Sequence, residues 1–160
     1  NLGAYLLLRP SELTDLLWEE VDFKNKIIRI GKGRMKSSNP HLVPLSSQVL
    51  AKFEEIKEYG LSEKYVFPSS INRNASINSE SLRMALRRLG IPKEKFTPHG
   101  FRHMASTRLH ELGYNTDVIE SQLAHKIRGV RGVYNQAQYL EDRKVMMEDW
   151  SNYLSNLQKS

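Results

Sequence analysis

The 160-residue sequence has no cysteine at all. That excludes disulfide scaffolding, thiolate metal sites and cysteine nucleophiles together, and it fits a reducing cytosol. Long apolar runs are missing too: none approaches the roughly eighteen residues of a membrane span, so neither a spanning helix nor a secretory leader is expected. There is no internal repeat and no low-complexity tract. What remains is ordinary for a globular chain, with 39% hydrophobic and 26% charged residues, and the length suits one domain with a real core.

Acidic charge is in deficit. Eighteen Asp and Glu face 24 Lys and Arg, leaving a net charge of +6. Residues 23–36 read FKNKIIRIGKGRMK, with six cations and no acid, and a second cluster lies in KIRGVRG. Such runs fit a polyanionic partner, and they also fit a solvated face. The cations marked for DNA contact are Lys24, Lys26, Lys32, Arg34, Lys126, Arg128 and Arg131.

The opening NLGAYLLL reads as a helix already under way, with Leu2, Tyr5 and Leu6 on one face, so the chain is expected to be a fragment of a longer protein. That helix breaks before Pro10, and PSELTDLLWEE restarts one with proline at its first position. Runs at 26–30 and 41–45, around Gly31, Gly33 and Asn39-Pro40, predict a small antiparallel sheet with a basic turn. Ser47 starts a helix bearing Val49, Leu50, Phe53 and Ile56, which ends near Gly60. A short extended piece at 65–68 and a polar loop over 69–79 follow. Ser79 or Ser81 caps the helix of Leu82, Ala85, Leu86 and Leu89, which stops at Gly90. Thr97-Pro98 opens another helix to about Leu112, with Gly113 past its end; a shorter helix covers 116–125 and a final one 140–157. The expected fold is mostly α with a small antiparallel β-sheet near the N-terminus, an α+β domain.

Several polar residues fall where their neighbours read as packed. Arg9 follows YLLL and precedes the helix-starting proline. His99 and Arg102, in TPHGFRHMAST, share one face of a first helical turn, where free backbone N–H groups suit a phosphate. His125 ends a helix after Leu123-Ala124, and Tyr134 lies between cations in RGVYNQA. Each has a structural reading alone: Arg9 as ion-pair partner of Glu12 or Asp15, the histidines as cap or surface residues, Tyr134 as a packed ring. Together, two arginines, a lysine, two histidines and a tyrosine form an inventory for phosphoryl transfer without metal. Guanidinium groups bind nonbridging oxygens and stabilise developing charge. Histidine exchanges protons near neutral pH, lysine protonates a leaving oxygen, and cations favour the phenolate of a tyrosine whose ordinary pKa is about 10.

The order of these segments resembles the tyrosine recombinases of the phage-integrase family. LRPSEL resembles their first arginine box, HGFRH their His-x-x-Arg box, and LAH followed by Tyr134 their final spacing; RMK before PHLVPLS resembles their β-hairpin with Lys36. FTPHGFRHMAST, VIESQLAH, VRGVYNQAQYLEDR and MMEDW are similar to integrases of satellite phages and genomic islands. Leu8 and Ala124 stand where glycine is frequent in the family, and IGKG is more basic than its usual pattern.

The resemblance implies the fold of the DNA breaking-rejoining enzymes over residues 1–160, with upstream DNA-binding domains outside this chain and no cofactor. It implies that Tyr134 attacks a phosphodiester to give a 3′-phosphotyrosyl bond, that Arg9 and Arg102 clamp the phosphate with His99 and His125 assisting, and that Lys36 protonates the departing 5′-oxygen. Implied partners are double-stranded attachment-site DNA, three further copies in a homotetramer, an excisionase and a host DNA-bending protein, in a bacterial cytoplasm close to the nucleoid. The stripe on helix 140–157 would dock on a neighbouring protomer or pack on its own domain. Without DNA, Tyr134 is expected to stand away from the other five residues.

Other readings compete. His99 and His103 have the i, i+4 spacing of a zinc helix, but Gly-Phe-Arg between them supplies no glutamate base and adds a repelling cation. His41, His103 and His110 read as structural or surface residues. A non-catalytic DNA-binding module would explain the charge alone, and a type IB topoisomerase would share the chemistry while relaxing DNA without a site requirement.

Overall fold

A computed structural model describes residues 2–31, 33, 40–125 and 139–159. Helix α1 (Leu2–Leu6) buries Leu2, Tyr5 and Leu6, as their spacing requires, and stops where Leu7 adopts a positive φ of 56°. Leu7 and Leu8 then plunge into the core, and Pro10 starts α2 (Pro10–Thr14). The expected helix to Glu20 ends six residues early. Long-range pairing wins over local propensity here: Val66 N donates to Leu16 O at 2.9 Å and Trp18 N to Lys64 O at 3.0 Å, so the chain is pulled out as a partner for 64–66. Only a single 3₁₀ turn, Trp18–Glu20, follows.

The small sheet is present as β1 (Val21–Asp22), β2 (Ile27–Ile30) and β3 (His41–Pro44), antiparallel in that order. Ile28 pairs with Val43 and Ile30 with His41, which puts these four residues on one buried face. Helix α3 (Ser47–Glu58) is capped by Ser46, whose hydroxyl accepts from Val49 N, and buries Val49 and Phe53. The polar loop over 69–79 folds back on itself: Ile77 N donates to Phe67 O at 2.9 Å and Ser69 N to Ala75 O at 2.8 Å. Helix α4 (Glu80–Arg88) takes its cap oxygen from Asn78 rather than from either serine, Oδ1 accepting from Glu80 N at 2.9 Å.

Three helices end alike. After α4, after α5 (Gly100–Glu111) and after α6 (Thr116–Gln122), paired bonds run back from the two residues following the cap, the Schellman arrangement. The turning residue is Gly90 in the first, Gly113 in the second and Ala124 in the third, and all three have positive φ. Helix α5 begins at Gly100, two residues later than expected, with Pro98 and His99 in the preceding turn.

The last helix, α7 (Leu140–Leu157), lies across α1, α3, α6 and β3 and buries Met146, Met147, Trp150 and Leu154. Trp150 Nε1 donates to Ala4 O at 2.8 Å, so the aromatic stripe packs on its own domain while Val145 and Leu157 stay exposed. No helix among the described residues is long and apolar enough to cross a membrane.

Candidate active site

Arg9 occupies the junction between the Leu7 reversal and α2. Its extended backbone (φ −64°, ψ 150°) carries the chain into Pro10, and Glu12 holds it twice, accepting from its backbone N–H at 2.9 Å and from Nη1 at 2.7 Å. Glu12 is only 5% exposed. The ion-pair reading of Arg9 is therefore correct for Glu12, and it is what aims the guanidinium: Nη2 is left to reach Ala124 O at 3.4 Å. Asp15, the other suggested partner, accepts from Ser76 Oγ instead.

Arg102 rises from the first turn of α5 and is 3% exposed. Nη1 donates to Leu7 O, Nη2 donates to Leu123 O at 2.5 Å, and Nη2 lies 3.4 Å from His125 Nε2. The two arginines thus grip successive carbonyls, Leu123 and Ala124, at the end of α6. The left-handed turn at Ala124 presents both carbonyls and swings His125 across Arg102. His125 Nδ1 lies 2.8 Å from Glu120 Oε2; a carboxylate there keeps a proton on Nδ1 and turns Nε2 toward Arg102.

Two guanidinium groups in one low-dielectric corner repel. Burial first, then the charge of Arg9, lowers the Arg102 pKa to about 10, which leaves it fully charged at neutral pH. Burial and then the charge of Arg102 also lower the pKa of His99, with His103, Arg9 and His125 acting in the same direction, so His99 belongs to the same field. Glu12 and Glu120 offset part of that positive charge. The positive charge that remains would favour an anion at this corner.

Behind the arginines lies a buried polar network that the sequence did not single out. Arg143, fully buried on α7, donates through Nε and Nη2 to Gln122 Oε1 at 3.0 and 2.9 Å and through Nη2 to Leu42 O. Gln122 Nε2 donates onward to Leu6 O at 3.3 Å. The carbonyls next along the chain, Leu7 and Leu123, are those that receive Arg102. His41, buried on β3, is structural as expected. Glu12, Glu120, Gln122 and Arg143 all lie in segments that resemble the family, LRPSEL, VIESQLAH and VRGVYNQAQYLEDR, but only Glu12 received a role from the sequence, through its i, i+3 spacing from Arg9.

Of the six residues expected to act, the fold sets Arg102 against His125, brings Arg9 to the neighbouring Ala124 carbonyl and places His99 in their field. Tyr134 and Lys36 lie outside the described residues, as do Lys32, Arg34, Lys126, Arg128 and Arg131, and with them the expected separation of Tyr134. Lys24 and Lys26 are exposed in the β1–β2 turn, at the end of β2 opposite the one that pairs with His41. The His99 and His103 rings meet edge to face at 5.1 Å, and no three His, Asp or Glu among the described residues are grouped as metal ligands.

The profile of the phage integrase family matches residues 3–141. The prophage integrase IntA of Escherichia coli K12 is 40% identical over 147 residues, covering 91% of this chain but only 35% of that protein, so the chain spans about a third of its length. Among solved structures, the integrase of mycobacterium phage Brujita superposes with a TM-score of 0.66 at 20% identity, covering 92% of this chain and 48% of the other. The integrase of transposon Tn1549, solved in complex with a circular-intermediate DNA, gives a TM-score of 0.64 at 17% identity over 89% of this chain and 56% of the other. These two likenesses show the fold.

Proposed function

Since this chain belongs to the phage integrase family, we propose that it is the strand-cleaving and strand-joining domain of a site-specific tyrosine recombinase. The observation that carries this is the clamp itself: Arg9 and Arg102 converge on adjacent carbonyls with His125 across Arg102. Their remaining N–H groups bind the nonbridging oxygens of a scissile phosphate and stabilise charge as it grows there. His125, held by Glu120, and His99 assist at the same oxygens. The hydroxyl of Tyr134 attacks phosphorus, forming the 3′-phosphotyrosyl bond as the bond to the 5′-oxygen breaks. Lys36 delivers the proton to that oxygen. A 5′-hydroxyl from a partner strand then attacks the phosphotyrosine, the tyrosine leaves, and DNA is rejoined without ATP.

The Tn1549 integrase is seen on DNA, which supports a DNA partner here. Assembly as a homotetramer on attachment sites, control by an excisionase and a host bending protein, and a place at the bacterial nucleoid belong to the same reading. The test is a nicked attachment-site duplex incubated with the protein in EDTA and run on a denaturing gel. Wild type is expected to form a covalent adduct, Tyr134→Phe none, and Arg9→Ala one formed about 10²–10³ more slowly. A non-catalytic module gives no adduct with any cognate duplex, and relaxation of arbitrary plasmids would mark a topoisomerase.

A further inference from the structure

A cavity of about 500 Å³ lies between the start of α2, helix α4 and the loop entering α5. It shares two residues with the clamp's surroundings: Pro10, directly after Arg9, and His99. Residues 80, 83, 84 and 87 line it, and their spacing puts them on one face of α4. Residues 80–99 hold five cations, Arg83, Arg87, Arg88, Lys93 and Lys95, against Glu80 and Glu94. None of the five belongs to the basic clusters that stand out in the sequence.

The lining cations differ in how they are engaged. Arg87 is committed to the wall: Nη1 donates to Ile91 O and Nη2 to Phe96 O at 3.0 Å, tying the loop that leads to His99 back onto α4. Arg83 holds only Glu80, at 2.5 Å, and the two side chains are 62% and 55% exposed. Exposed pairs of that kind are weak and exchange partners readily. Lys93 makes no ion pair or hydrogen bond among the described residues. The cavity therefore offers two available cations, held against a fixed third, beside His99 and the residue that follows Arg9. Anions repeated at short intervals along one chain are what a nucleic-acid backbone supplies.

We propose that this cavity seats a DNA backbone phosphate flanking the scissile one, with Lys93 and Arg83 as its ligands. The proposal rests on the DNA-cleaving reading above. It is tested by replacing single phosphates on either side of the nick with uncharged methylphosphonate. Binding is measured for wild type, Lys93→Gln, Arg83→Gln and the double variant, with Lys159→Gln as a distant control. One flanking position is expected to weaken wild type clearly while adding little to the double variant. The slope of log affinity against log salt should fall by about 0.9 for each phosphate that is no longer neutralised, and stay unchanged in the control. Additive losses at every position, or an unchanged slope in the double variant, overturn the proposal. Adduct formation by wild type on the unmodified duplex is scored alongside. Its absence defeats the cleavage reading, whereas an adduct with additive losses defeats only the flanking site.

Discussion

His41 shows what a single buried side chain does to this protein. It faces the core from β3 opposite Ile30, is 1% exposed, and its Nδ1 has no hydrogen-bond partner among the described residues. Burial, and then the charges of Arg143 and Arg102, push its pKa from 6.5 down to about 3. The folded protein keeps the ring neutral, while the unfolded chain takes up a proton near 6.5. Between those values the unfolded state binds more protons, so this stability is complete above about 6.5 and drains away as pH falls toward 3. Each pKa unit is worth about 1.4 kcal/mol, so several kcal/mol are at stake. Urea unfolding at a series of pH values should show wild type losing at least about 2 kcal/mol more than His41→Gln between pH 6.5 and 4; parallel curves would mean that His41 titrates alike in both states. At this scale the sequence was half legible. Arg9, His99, Arg102 and His125, the described members of the proposed site, could be picked out from type, spacing and family resemblance together. Glu120, Gln122 and Arg143 do not, since a carboxylate, amide or guanidinium on a helix looks like surface until packing shows what it holds.

At the scale of elements, the end of α6 decides where His125 and two arginine-binding carbonyls go. Ala124 sits there at a φ of 49°, in the position that Gly90 and Gly113 fill after α4 and α5. A side chain in that left-handed conformation costs about 1–2 kcal/mol, partly offset because glycine makes the unfolded chain freer. Ala124→Gly is therefore expected to stabilise the domain by about 0.5–1 kcal/mol, raising Tm by roughly 1–4 °C in a thermal melt, with the clamp undisturbed. A fall in Tm would mean that the Ala124 methyl group contributes more by packing than its backbone loses by strain. Helix ends of this type were readable where glycine marked them. The termination of α2 was not, because nothing local stops a helix at Thr14; the partner segment at 64–66 lies some fifty residues away. The start of α4 misled for a smaller reason, since three neighbouring residues could each supply a cap oxygen and Asn78 does so.

At the scale of the molecule, α7 connects the core to the site. Its buried face fills the space between α1, β3 and α6 with Met146, Trp150 and Leu154, and its first turns carry Arg143 into the network that braces Leu6 and Gln122. Those two residues adjoin the Leu7 and Leu123 carbonyls that position Arg102. The helix therefore serves the clamp from behind by packing in its own domain, independently of any part it plays between protomers. Losing it should be catastrophic rather than selective. Trp150→Ala alone is expected to cost about 3–5 kcal/mol, a large share of the roughly 5–15 kcal/mol that holds such a domain together, and to lower Tm by roughly 6–20 °C. A chain ending after Arg143 should lose its cooperative melt and its near-ultraviolet circular dichroism altogether. If that truncated chain instead kept a native spectrum and failed only in recombination, the stripe from Trp150 to Leu157 would have its main role on a neighbouring protomer, and the packing described here would be the lesser of its two uses.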